Sequence, residues 1–161
     1  MNVYDNLKRA GVDLVEPTEK AGIYERVIQF GANLVYVSGT GPSTPGRACK
    51  LGKLGADLTT EEGKEEARYC MINILSNLHA ELGDLNRIKR FVKVLAFVSS
   101  SDDFYSQPEV ANAASLLLKQ VFGEEAGVPA RSAVGVRVLP GNIPVEIELM
   151  LELNDGCENG L

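Results

Sequence analysis

Apolar residues recur along this chain with two periods, and each change of period marks an element boundary. Val3, Leu7 and Ala10 fall at helical spacing, so residues 1–10 read as a short amphipathic helix that Gly11 stops. Val27 to Phe30 and Leu34 to Ser38 read as strands joined by a hairpin across Gly31-Ala32-Asn33. Ser38-Gly39-Thr40-Gly41-Pro42 ends the second of these, and the Gly-, Pro- and base-containing stretch 43–55 reads as a loop with room for a short strand. The longest helix is predicted over Thr60 to Leu82. Thr59 and Glu62 are spaced as a capping box, Ala67, Cys70, Met71, Ile74, Leu75, Leu78 and Leu82 share one face, and Gly83 follows.

Strict alternation over Ile88 to Ser99 predicts the strongest strand. It assigns Ile88, Arg90, Val92, Val94, Ala96 and Val98 to one face, and Phe91, Lys93, Leu95 and Phe97 to the other. Pro108 opens a second long helix, where its missing N–H costs nothing, and Gly123 closes it. Between them Val110, Ala114, Leu117, Leu118, Val121 and Phe122 form the buried stripe. Two strands remain, Arg131 to Val138 and Val145 to Leu153, with Leu139-Pro140-Gly141-Asn142 as the turn of a C-terminal hairpin. The tail 154–161 is expected to be disordered.

The order β-β-(β)-α-β-α-β-β predicts a two-layer α+β domain, with two helices on one face of a mostly antiparallel sheet. No linker, repeat or low-complexity tract divides residues 1–161, so a single domain is expected. The uncovered sheet face would carry Phe91, Leu95 and Phe97, a patch that calls for cover by a second copy.

Composition narrows the function. The 161 residues hold 16 Lys plus Arg against 22 Asp plus Glu, a net charge of −6, which argues against nucleic acid as a partner. His79 is the single histidine, so no multi-histidine metal centre can form, and its place inside the long helix reads as a boundary position. Cys49, Cys70 and Cys157 show no CxxC spacing and fit a reducing, cytoplasmic setting, with Cys70 on the buried stripe. No apolar run approaches the ~18 residues of a membrane span. Gly39-Thr40-Gly41 lacks the third glycine and the following helix of a phosphate-cradling loop. Glu61, Glu62, Glu65 and Glu66 sit in the first turns of a helix, where they complement its dipole.

What remains is Arg131, entering a strand just after a loop, with Glu146 and Glu148 on the strand that follows. An arginine fork suits bidentate capture of a small carboxylate, and a glutamate can orient or deprotonate water. The plain alternative is a cross-strand salt bridge on a solvated face.

Tyr36-Val-Ser-Gly-Thr-Gly-Pro42, Leu82-Gly-Asp-Leu85, the Val92 to Val98 strand, Pro129-Ala-Arg-Ser-Ala-Val134, and Leu139-Pro140 before Val145-Glu-Ile-Glu148 follow one known pattern in order. Over about Val27 to Leu153 the chain resembles the RidA/YjgF family of enamine/imine deaminases, once labelled L-PSP endoribonucleases. The resemblance implies a chorismate-mutase-like fold, a homotrimer with sites between subunits, and no cofactor. It implies hydrolysis of 2-aminoacrylate and related 2-imino acids to 2-oxo acids and ammonia. Arg131 would bind the substrate carboxylate and Glu146 the water, while Tyr24, Ser38, Gly39, Asn112 and Ala133 would line the pocket. Ala133 stands where the family often has cysteine. Residues 1–20 and the 43–55 loop mark a longer branch, whose substrate is not implied. Two rival readings are a non-catalytic binder of 2-oxo acids in the same cleft and, from the old label, a ribonuclease.

Overall fold

The computed structural model describes residues 2–17 and 20–154. The expected tail disorder and Cys157 lie outside them. Among the described residues three α-helices and five strands form: α1 (Val3–Arg9), β1 (Val27–Phe30), β2 (Leu34–Thr40), α2 (Thr60–Leu82), β3 (Ile88–Ser99), α3 (Gln107–Gly127), β4 (Ala130–Val136) and β5 (Val145–Leu153). No strand forms within 43–55 beyond single bridges between residues.

The α2 boundaries follow local chemistry. The Thr59 side chain accepts from the Glu62 backbone N–H, and the Glu62 carboxylate accepts from the Thr59 N–H at 2.8 Å. Those bonds, with Lys50, hold the Glu62 carboxyl down at about 2. At the other end Gly83 takes φ +76°, a left-handed cap that glycine adopts without Cβ strain. Gly123 likewise breaks α3 at φ +83°, yet helical turns resume as far as Gly127.

The sheet order is β1-β2-β5-β3-β4. Neighbours are antiparallel except β3 and β4, which are parallel and joined through α3. The sheet is therefore mixed, and the expected C-terminal hairpin does not exist, because β3 lies between β4 and β5. A helix inserted between two strands returns the chain to its starting end, which favours parallel pairing. The 137–144 segment is then long enough to step over β3.

Two register irregularities in β3, at 88–90 and 91–93, correct a second expectation. Each bulge shifts the alternation by one residue. Phe91 consequently faces the core, only 3% exposed and edge-on to Phe122 at 4.8 Å between centroids. Arg90 is turned outward to Glu152, 2.7 Å away.

The core lies between the sheet and the helices. Val35, Val37, Ala96, Val98, Ile147, Leu149 and Leu151 meet Met71, Ile74, Leu75, Leu78, Leu117 and Leu118 there, all at most 1% exposed. Among the described residues no helix covers the opposite sheet face. That face leaves Ile28, Phe30, Tyr36 and Val134 between 39% and 52% exposed.

The N-terminal segment is strapped across the helices. Asn6 Nδ2 donates to the Val121 carbonyl, Arg68 to the Ala10 carbonyl, and the Val15 N–H to Ser76 Oγ. Tyr4 OH lies 3.1 Å from His79 Nδ1, so the single histidine is indeed a boundary residue, tied to the strap.

Candidate functional site

Val145 and Ile147 point into the core, so strand alternation sends the Glu146 side chain to the other side. There it meets β2 where the strand's register is broken between Val37 and Thr40. A Cβ at Gly39 would lie 2.1 Å from Glu146 Oε1, so only glycine leaves room for the carboxylate in this position. Glu146, Ser38, Gly39 and Tyr24 together line a cleft of about 340 Å³.

Its wall also includes the N-terminal strap (Val15, Glu16, Pro17), Arg26, and Asn73, Ser76 and Asn77 of α2. Glu146 has no hydrogen-bond donor among the described residues. Burial raises its pKa above the ordinary carboxylate value, and the nearby Glu148 charge adds to that. A carboxyl so placed holds a proton more readily than a solvated one, which suits it to exchange protons with a water or an amine.

Arg131 occupies a different place. It is in register with Val94, and Val94 with Leu149, so it faces the helix side of the sheet. Its guanidinium donates to Asn112 Oδ1 at 2.9 Å, Ser115 Oγ at 3.0 Å and the Pro108 carbonyl at 3.3 Å. Partial burial lowers its pKa, with no carboxylate bonded to it among the described residues to oppose the shift. Ala133, two residues on, is half-buried on the same face.

Glu146 aligns with Phe97, three residues along from Val94 and two strands from Arg131. Strand spacing and rise put their Cα atoms roughly 14 Å apart, on opposite faces. The seven predicted residues thus fall into two groups: Glu146 with Tyr24, Ser38 and Gly39, and Arg131 with Asn112 and Ala133. One chain does not bring them together, and among the described residues Arg131 also lacks the salt bridge of the plainer alternative.

Other expectations are refined. Cys70 is fully buried and its thiol is pushed well up by that burial, in keeping with an inert core residue. Cys49 is half-buried and accepts from Ser43 Oγ. Glu61 and Glu62 do lie in the first helical turn, but Glu66 is no dipole complement. It is fully buried and receives both arms of Arg47, at 2.6 and 3.0 Å, plus the Lys50 N–H. Arg47 also stacks 3.6 Å from the Tyr69 ring. This clamp and Asn73, which donates to the Gly41 and Ser43 carbonyls, hold the 43–50 loop beside the cleft.

Sequence reasoning passed over Asn73, Ser76 and Asn77, although polar residues at i, i+3 and i+4 inside an apolar helix were a readable signal. Among the described residues, no group of three His, Cys, Asp or Glu could hold a metal ion, and no helix is long and apolar enough to cross a membrane.

The family model for endoribonuclease L-PSP matches residues 16–152. The chain belongs to the RidA/YjgF family. It is 45% identical to Protein TCP17 of Trypanosoma cruzi over 150 residues, 93% of each chain. It is 30% identical to a 2-iminobutanoate/2-iminopropanoate deaminase of Dermatophagoides farinae, across 79% of this chain and 83% of that one. A crystal structure of a protein of unknown function from Agrobacterium tumefaciens superposes with TM-score 0.86 at 36% identity, covering 94% of this chain and 92% of its own.

Proposed function

We propose that this RidA/YjgF member hydrolyses reactive 2-imino acids, 2-aminoacrylate among them, to 2-oxo acids and ammonia. The observation that carries the reading is Glu146: a half-buried carboxylate without a donor, raised in pKa, in a polar cleft. The likeness to a named imine deaminase supports it. An imine carbon is already electrophilic, so positioning and one proton exchanger suffice for hydrolysis.

A 2-enamine first tautomerises to its imine by gaining a proton on carbon and losing one from nitrogen. Water then adds to the imine carbon, giving its proton to Glu146 as the C=N π pair moves to nitrogen. Glu146 returns that proton to the nitrogen of the carbinolamine. The hydroxyl proton then passes by way of Glu146 to the same nitrogen, so that the C–N bond breaks as the carbonyl forms and ammonia leaves. Arg131 holds the substrate carboxylate, already oriented by Asn112 and Ser115.

Because Arg131 and Glu146 stand too far apart in one chain, we assign the site to the junction between copies, closed as a homotrimer. The Arg131 edge of one copy would face the Glu146 cleft of the next. A head-to-tail contact of this kind closes into a ring. It also accounts for the helix-free sheet face with exposed Ile28, Phe30 and Tyr36.

The ribonuclease label finds little support in the geometry, since the single histidine is bonded to Tyr4 and does not line the cleft. The test is keto-acid release from 2-aminoacrylate generated in situ. The protein is expected to outpace buffer, with the gain lost in Arg131→Ala. Release no faster than in buffer overturns the reading, and 2-oxo acid binding without turnover would leave a binding protein.

A further inference from the structure

The Glu146 cleft contains more polar equipment than a small 2-imino acid with an uncharged side chain needs. Arg26 lines it half-buried, yet forms no ion pair and no side-chain hydrogen bond among the described residues. Asn77 lines it too. The residue is 9% exposed, and its side chain has no hydrogen-bond partner among the described residues. Its neighbours on α2 are used internally. Asn73 pins the Gly41 and Ser43 carbonyls, and Ser76 accepts from the Val15 N–H while donating to the Ile72 carbonyl.

No buried side-chain polar atom among the described residues lacks a partner, so the unbonded amide of Asn77 is open to the cleft and available to whatever enters it. An arginine fork with no internal acceptor is the common device for a carboxylate. The cleft's own anions, Glu16 and Glu146, do not approach Arg26 within ion-pairing distance. Its volume of about 340 Å³ lies in the range, about 300–1,000 Å³, of sites that bury much larger ligands than a three-carbon acid.

We infer that Arg26 and Asn77 form a second anion-recognition point, and that the preferred substrates are 2-imino acids with a second, distal carboxylate. This rests on the imine-hydrolase reading for its chemistry, though not for its binding. With Arg131 holding the α-carboxylate and Glu146 at the imine carbon, Arg26 would receive the far end of the side chain. Asn77 Nδ2 would donate to the same group.

The test compares the four-carbon monoacid 2-iminobutanoate with the five-carbon diacid 2-iminoglutarate, each made in situ by an amino-acid oxidase. The corresponding 2-oxo acids serve as binding probes by calorimetry. Wild-type protein is expected to favour the diacid in both kcat/KM and Kd. A charge-assisted hydrogen bond lost from a desolvated site corresponds to about tenfold or more, so Arg26→Gln should cut that preference by at least this factor. Arg26→Lys should retain part of it, and Asn77→Asp should reduce it by placing a like charge on the wall.

If wild-type protein favours the monoacid, or Arg26→Gln leaves the ratio unchanged, the inference is wrong. If neither imine is turned over but 2-oxoglutarate still binds in an Arg26-dependent manner, the hydrolase reading fails and with it the substrate preference, while the Arg26–Asn77 anion-recognition point stands.

Discussion

The two groups of candidate residues differ in how they are held, and the difference matches their proposed work. Arg131 is anchored, with three of its five guanidinium N–H groups donating to a side-chain amide, a hydroxyl and a backbone carbonyl of α3, which leaves two for a carboxylate. Glu146 has no such partner and stands in its cleft only because Gly39 gives way. A group that must present a fixed fork to a carboxylate gains from being locked by its neighbours. A group that must take and return a proton would lose that ability if its oxygens were already satisfied. One half is rigid and redundant, while the other is exposed to single changes.

The largest expected effect tests whether these halves meet between copies. Arg131→Ala and Glu146→Gln should each lower turnover by about 10²-fold or more. Unfolding the two inactive proteins together and refolding them mixes the subunits. A shared site then regenerates one intact Arg131–Glu146 pair at about a quarter of the junctions. Recovery near a quarter of wild-type activity is expected, with none when either variant is refolded alone. A mixture that stays inactive shows that each chain builds its site by itself, and the comparison collapses.

Next in size is the frame of the cleft. Arg47→Ala leaves the fully buried Glu66 carboxylate with only the Lys50 N–H, and stranding a buried charge costs about 3–5 kcal/mol. Urea unfolding should show that loss. Replacing both partners, Arg47→Met with Glu66→Leu, should recover most of it. Asn112→Ala, on the better-supported Arg131 side, should cost far less. Equal losses on the two sides would mean that the cleft is no more dependent on single contacts than the arginine edge.

How much of this was legible beforehand depended on the range of each signal. The α2 limits, the capping box, the Val145–Leu153 alternation and the buried Cys70 are local patterns, and they read correctly. Phe91 was misassigned because a bulge leaves no mark on alternation: the residue types look the same whether or not one is skipped. The C-terminal hairpin failed because Leu139 to Asn142 looks like a turn either way. Nothing within 137–144 says that β3 will lie between the strands it connects. The site residues were individually recognisable from the family resemblance, but their division into two groups follows from strand order, a long-range property. Glu66 was misread for a related reason, since its partner Arg47 lies in a loop with no periodicity to place it.

A pH profile separates the halves further. Burial, aided by Glu148, raises the Glu146 pKa, so its carboxylate form is lost on acidification sooner than for an ordinary glutamate near 4.3. If that form starts the reaction, kcat/KM should fall about tenfold per pH unit below the raised pKa, on a limb above the ordinary range. The stability sign is opposite to that of a salt-bridged acid. Folded chains hold this proton where unfolded chains have released it. Stability therefore drops as pH rises from the ordinary value through the raised one, and the deficit persists above it. Glu146→Gln removes the deficit. Its Tm should exceed that of wild type at pH 7–8, and the gap should close below pH 4. An acid limb at the ordinary glutamate value would show that burial does not govern this group.

The smallest effects give the finest comparison, because they touch each half without removing its charge. Ser115→Ala deletes one of three acceptors around Arg131. The Asn112 and Pro108 bonds remain, so a loss of about 0.5–1.5 kcal/mol, or a few-fold in KM, is expected with kcat nearly unchanged. Gly39→Ala adds one methyl group, and the atom it meets is the free end of a flexible side chain, not backbone. Glu146 can swing away, so the fold should lose little stability and the melting curve should barely move. The displaced carboxylate, however, no longer lies where water must be presented, and the fall should appear in kcat. A KM effect on one side and a kcat effect on the other would show that the arginine edge binds while the glutamate cleft turns over. If Gly39→Ala instead melts early with kcat intact, the close approach of β2 to Glu146 serves packing, and the carboxylate's position is not what sets the rate.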